Sequence, residues 1–165
     1  MQPETISRTV SLFEEQPQKA KSTPTVEAHA ENGQAAMQSG PFSWRSDLPE
    51  PIGGTNQAPS PTALLLSALA GCAVVFIRDT LAPQLGVRVD GVQAAARCEA
   101  DARGLLGMAG AEPDLKNVQL DIRVQSPDGE GEVQRVYEAW RERCPIYLAL
   151  TKGMEVSLNM QTTQG

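Results

Sequence analysis

The sequence has little from which to build several common kinds of site. One histidine and three cysteines stand among 165 residues, and no two cysteines form a CxxC pair. A multi-histidine metal centre is therefore impossible within one chain, and the usual paired-ligand zinc arrangement is missing. Basic residues are outnumbered, 14 Lys and Arg against 20 Asp and Glu, for a net charge of -6. A nucleic-acid binder needs a basic face to displace counterions from phosphates, so that partner class is excluded. No uninterrupted apolar run reaches the ~20 residues that span a bilayer. The longest, from Ala63 to Ile77, is broken by Ser67 and Gly71 and followed by Arg78 and Asp79; it reads as a buried helix. Met1 to Lys21 lacks the apolar core of a signal peptide. The expectation is a cytoplasmic protein without a membrane partner, in a compartment where thiols stay reduced. An odd cysteine count at wide separations is no disulfide framework. The default role for such cysteines is that of small buried hydrophobes.

At this length one domain is the natural reading. Residues 1–24 are polar, carry prolines at 3, 17 and 24, and read as a flexible or loosely docked arm in which Thr9 to Phe13 could form one short element. Residues 25–165 read as a single domain. Thr25 to Ala30 alternates as a strand, Asn32-Gly33 is a strong hairpin signal, and Gln34 to Ser39 returns. Pro41 to Ser46 reads as a further strand, and Asp47 to Gln57 as a loop. Ser60-Pro61 then supplies an N-cap and a first-turn proline. Leu65, Leu69, Cys72 and Phe76 follow at helical spacing, with Pro83 expected to end or kink the helix and Gly86 to close it. Strands are expected over Val87 to Ala100, with a bulge at Asp90-Gly91, over Val118 to Val124, and over Met154 to Met160. Val133, Val136, Tyr137, Trp140 and Cys144 mark one helical face. Segregated strands and helices mean an α+β fold. A long apolar helix in so small a chain needs a partner to bury it, which an interlocked dimer would supply.

Cys144 stands directly before Pro145. The residue before proline is pushed out of the helical region, so the helix should break there and restart with Pro145 at its first position. Cys144 then becomes the N-cap of a second short helix, where the helix dipole lowers a thiol pKa. Arg141 and Arg143 are near enough in sequence to add to this. Cys98, on an expected strand, has no such device and is expected to be inert. The plainer alternative for Cys144 is the apolar end of the Tyr137/Trp140 face.

Three stretches taken together resemble the OsmC/Ohr family of osmotically inducible and organic hydroperoxide resistance proteins. They are Gly53-Gly54-Thr55-Asn56, then Pro59-Ser60-Pro61-Thr62-Ala63-Leu64-Leu65-Leu66, then Ala68-Leu69-Ala70-Gly71-Cys72; the later Cys144-Pro145 joins them. The resemblance covers roughly residues 25–160 and includes the element order. It implies an intertwined homodimer around paired long helices, and a thiol peroxidase acting on organic hydroperoxides. Cys72 takes the peroxidatic role, Cys144 the resolving role, and an external dithiol is the reductant. No metal or organic cofactor is implied.

The family's peroxidases also use an Arg near the first hairpin and a Glu early in the long helix. Around Glu31-Asn32-Gly33 there is no Arg, and the positions nine and ten residues before Cys72 are Ala63 and Thr62. Arg45, on the next strand, is the candidate substitute. Arg78 is expected on the opposite helix face, and Asp79 on the Cys72 face. Two functions from different classes follow: a dimeric Cys-dependent peroxidase, and a ligand-binding or redox-sensing dimer of the same fold. A structural dimerising domain with two buried cysteines is the third.

Overall fold

The hairpin forms as Asn32-Gly33 requires, with φ of 52° and 78° at the two residues. It joins β1 (Glu27–Glu31) to β2 (Gln34–Ser39), pairing Glu31 with Gln34 and Glu27 with Gln38. Gly40, at φ 54°, turns the chain into β3 (Phe42–Ser46), completing an antiparallel sheet in the order β1-β2-β3. The structure, a computed structural model, describes residues 3–162.

After β3 the loop that leads to the long helix is folded around Asp47, which is buried. Its carboxylate accepts the N–H of Gln57 (2.9 Å), the hydroxyl of Thr55 (2.6 Å) and the N–H groups of Thr55 (3.2 Å) and Leu48 (2.7 Å). These donors, Gln57 first and the Thr55 hydroxyl second, hold Asp47 well below the usual carboxylate range. Gly54 belongs to the same clasp: a Cβ there would lie 1.8 Å from the Leu48 carbonyl oxygen. The Ser46 hydroxyl (2.8 Å) and the Asp47 N–H (3.2 Å) both donate to the Pro59 carbonyl, setting β3 beside the helix entry.

Helix α2 (Pro61–Phe76) starts as its sequence demands, the Ser60 hydroxyl accepting from the Ala63 N–H at 3.2 Å. It does not stop at Pro83. A π-helical turn, Ile77–Leu81, widens the helix, and α3 (Ala82–Leu85) continues it to Gly86 at φ 71°. Proline lacks the N–H that would reach back one turn, and the widened turn upstream absorbs that loss and the ring's bulk. The whole run, Pro61–Leu85, is 25 residues long; its most apolar 18-residue window has mean hydropathy 1.8, and 22% of that window is buried by its own chain. By length and composition it is thus long enough to cross a membrane, which counting unbroken apolar residues had excluded. A core helix of a globular domain has the same properties, and this one packs on the second sheet and on the helices that follow.

That sheet pairs β4 (Gly91–Glu99) with β5 (Lys116–Gln125), setting Val92, Ala94 and Ala96 against Val124, Ile122 and Leu120. The expected strand start at Val87 and bulge at Asp90-Gly91 are both displaced. Val87 N–H instead caps the helix at the Ala82 carbonyl (2.9 Å), and Arg88 N–H goes to Asp128 (2.7 Å). Strand pairing therefore begins at Gly91, and the irregularity falls between Arg97 and Glu99. A short helix, α4 (Ala102–Leu105), interrupts the connection to β5. Leu105, Leu106 and Met108, in and just after it, are exposed.

Helices α5 (Glu130–Arg143) and α6 (Pro145–Lys152) match the sequence expectation. The core is one cluster: Leu69, Ala73, Ile77 and Leu81 from the long helix against Val136, Ala139, Trp140 and Cys144. Two expectations at the ends are corrected. The first residues hold more than one short element: α1 (Pro3–Glu15) is helical, with Ile6, Val10 and Phe13 on one face at i, i+4 and i+7, and it lies against α3. The expected last strand does not form. Residues 154–160 have no strand partner among the described residues, and Val156, Leu158 and Met160 are 79%, 87% and 84% exposed. Alternation gives a segment two faces, but a strand also needs a neighbour for its backbone, and this chain provides none.

Candidate functional site

The two cysteines expected to act together meet. Cys72 Sγ and Cys144 Sγ lie 2.9 Å apart as free thiols. A disulfide needs ~2.05 Å between sulfurs, so closure requires less than ~1 Å of further approach. Cys72 comes from the middle of α2, where residues 65, 69 and 72 share a stripe. Cys144 comes from the break between α5 and α6, with φ -70° and ψ 113°. Pro145 enforces that break, and the extended backbone turns the Cys144 side chain back over the first turn of α6.

The thiols differ in access. Cys144 is fully buried, while Cys72 is half-buried. A molecule arriving from solvent meets Cys72 first. The first turn of α6 serves both sulfurs: Tyr147 N–H reaches Cys144 Sγ at 3.5 Å, and Ile146 N–H lowers the pKa of Cys72. For Cys72 that help is outweighed. Burial, followed by the hydrogen bond and charge of Cys144, pushes its thiol up from 9.0 to about 12.

Among the described residues no cation offsets this. Arg45, the candidate substitute, is exposed and engaged on its own sheet, paired with Glu31 and with Gln34 Oε1 at 3.4 Å. The structure does not bring it to either sulfur. Arg141 lies over the Tyr137 ring at 5.8 Å and is held by Tyr147, while Arg143 donates to Gln84 at 3.1 Å. Neither joins Cys144, as their closeness in sequence suggested. Arg78 grips Asp79 with two bonds of 2.7 Å. The Asp79 charge is therefore paired, and Asp79 itself lies within the π turn, Ile77–Leu81.

Sequence reasoning missed Trp140 as a site residue. It is 2% exposed, its ring lies 5.1 Å from Tyr147, and its carbonyl accepts the Cys144 N–H at 2.8 Å. It forms the wall behind the buried thiol. The signal was its i−4 spacing from Cys144, read only as core packing. No group of His, Cys, Asp and Glu that could hold a metal occurs among the described residues. Cys98 sits half-buried on β4, and His29 is exposed on β1.

Residues 54–159, more than half of the chain, match the sequence profile of OsmC-like proteins. The chain belongs to the OsmC-like protein family. Solved structures agree on the fold. An OsmC-like protein from Mycoplasma pneumoniae is 22% identical, with TM-score 0.65 over 81% of this chain and 89% of that one. An organic hydroperoxide resistance protein OsmC from Legionella pneumophila is 20% identical, with TM-score 0.60 over 79% and 90%. An organic hydroperoxide resistance protein from Elizabethkingia anophelis is 16% identical, with TM-score 0.61 over 82% and 92%. No curated protein matches the sequence. For this OsmC-like chain, the α+β fold and the family are thus established independently of its thiol chemistry.

Proposed function

We propose that the protein reduces organic hydroperoxides with its two thiols, Cys72 attacking and Cys144 resolving. The observation that carries this is the 2.9 Å contact between a half-buried and a fully buried thiol. The Cys72 thiolate attacks the O–O bond, takes one oxygen as sulfenic acid, and releases the alcohol. The Cys144 thiol then condenses with the sulfenic acid, forming the disulfide and expelling water. An external dithiol reduces the disulfide by exchange, ending as its own disulfide. Each cycle consumes one hydroperoxide and one dithiol and yields one alcohol and one water. No metal or organic cofactor enters. The raised pKa makes the thiolate scarce at neutral pH, so the attacking step is slow and speeds up with pH.

The proposed unit is a homodimer in the cytoplasm. Reduced thiols suit that compartment. An apolar helix window only 22% buried, together with an unpaired alternating segment at 154–160, supports a second copy as the missing cover. A second reading, a peroxide-responsive thiol switch that does not turn over, is favoured by the raised Cys72 pKa and by Arg45 being engaged elsewhere.

The test is consumption of cumene hydroperoxide with dihydrolipoamide as reductant. The wild type is expected to turn over repeatedly, Cys144→Ser to stop after about one equivalent, and Cys72→Ser to consume none. Absence of turnover by the wild type with several dithiols would overturn the peroxidase reading.

A further inference from the structure

Two sulfurs share one contact, but only one of them has a surface. Cys144 is 0% exposed and belongs to the buried core with Leu69, Ala73 and Trp140. Cys72, 2.9 Å away, is half-buried. On α2, Ala68 and Val75 stand one turn to either side of Cys72, and both are exposed. A Cβ added at Gly71, beside them, would meet nothing within 4 Å. The approach to Cys72 along α2 is therefore open and apolar. The two sulfurs also differ as leaving groups. Cys144 Sγ accepts the Tyr147 N–H at 3.5 Å, in the first turn of α6, where a helix receives negative charge well. Burial, followed by the hydrogen bond and charge of Cys144, pushes the Cys72 thiol up to about 12, and a thiol of high pKa leaves slowly. Access and leaving ability thus select the same sulfur for attack.

We infer that the reduced pair also reduces small uncharged disulfides, and that every exchange with external sulfur passes through Cys72 Sγ, with Cys144 as the internal partner. In the reducing direction the Cys72 thiolate attacks one sulfur of the external disulfide. That S–S bond breaks, the first external thiol leaves with a proton, and a mixed disulfide stands on Cys72. Cys144 gives up its proton and attacks Cys72 Sγ, closing the internal disulfide and expelling the second external thiol. Two electrons pass from the protein pair to the external disulfide, which becomes two thiols. In the reverse direction an external thiolate attacks Cys72 Sγ, and Cys144 leaves as the thiolate held by the Tyr147 N–H. A second external thiol then frees Cys72 and completes the external disulfide. No step involves a peroxide, so this inference stands or falls separately from the peroxidase reading.

The test uses the Cys98→Ser protein, so that the half-buried third thiol does not contribute. The probe is dipyridyl disulfide, which is small and uncharged and releases a thiopyridone that is followed by absorbance. The reduced pair is expected to release two thiopyridones per chain and to lose two hydrogens by intact mass, with no adduct left. With Cys144→Ser added, one thiopyridone should be released and the pyridylthio group should stay on Cys72. With Cys72→Ser added instead, the release rate should fall at least about a hundredfold while the circular dichroism stays native. The same variant unfolded in guanidinium should release one thiopyridone through Cys144, and Cys72→Ala serves if Cys72→Ser fails to fold. Three results would each overturn the inference. One is no thiopyridone from the folded two-thiol protein. Another is a folded Cys72→Ser protein that reacts as fast as its Cys144→Ser counterpart. The third is a pyridylthio group that persists on the two-thiol protein, because Cys144 would then not resolve the mixed disulfide.

Discussion

The long helix and the α5–α6 junction each contribute one sulfur to the same contact, yet the chain treats them differently. The junction is closed: Cys144 is fully buried, backed by Trp140 and capped by the Tyr147 N–H. The helix is open: Cys72 is half-buried, on a run whose apolar window is mostly uncovered by its own chain. The difference fits a division of labour. An attacking thiol must be reached by its substrate, whereas a resolving thiol needs only to be held close and kept away from competitors. It also locates the weakness of the site, because the open side is the one that lacks a cation.

The largest expected effect comes from removing what both regions share. Trp140→Ala leaves a cavity beneath Cys144 and should destabilise the fold by about 3–5 kcal/mol, read from denaturant unfolding. Unfolding unchanged within about 1 kcal/mol would show that the two regions are not joined through this residue.

The next tests the open side. The paired substitution Val156→Asp, Leu158→Asp places charge on the unpaired alternating segment and should convert the proposed dimer to monomer in analytical ultracentrifugation. Alkylation of Cys72 should then quicken several-fold while Cys144 stays protected. A dimer that survives both changes would remove residues 154–160 from the interface.

A smaller effect separates the thiols by pH. With its pKa raised, Cys72 stays protonated in the folded state through pH 9, where an unfolded cysteine would already ionise. Its iodoacetamide rate should therefore climb about tenfold per unit through pH 10 without levelling near 9. Cys144→Ala removes a group that raises that pKa and should shift the profile to lower pH. A plateau near the ordinary thiol value would mean that the helix side is activated by a group supplied from outside this chain.

The smallest effect concerns Arg45. Its exposed pair with Glu31 is worth at most about 1 kcal/mol. Arg45→Ala should change the peroxide rate less than about twofold. A loss of two orders of magnitude would show that Arg45 leaves Glu31 and acts on the thiol.

Much of this was legible in the residues. Ser60-Pro61, Asn32-Gly33 and Cys144-Pro145 act locally, through capping, positive φ and the restriction before proline, so each specifies its own geometry. The meeting of Cys72 with Cys144 rested on resemblance, because no local rule brings residues so far apart in sequence together. Other features depended on contacts outside the local pattern. Pro83 reads as an end or a kink of the helix, because the π turn that accommodates it has no strong sequence signal. The start of β4 shifted because Val87 and Arg88 were claimed by helix capping and by Asp128. The last strand failed for the opposite reason to the success of β5: both alternate, but β5 has β4 beside it. Helix α1 was hidden by a polar composition that outweighed its apolar face.

The central claim is that Cys72 and Cys144 form one redox unit. The most direct measurement is the intact mass of the protein after one equivalent of cumene hydroperoxide. The predicted result is a loss of two hydrogens in the wild type and in Cys98→Ser. In Cys144→Ser the same treatment should leave one added oxygen, and in Cys72→Ser no change. A wild type that gains oxygen without losing hydrogens, or that loses two hydrogens through Cys98, would contradict it.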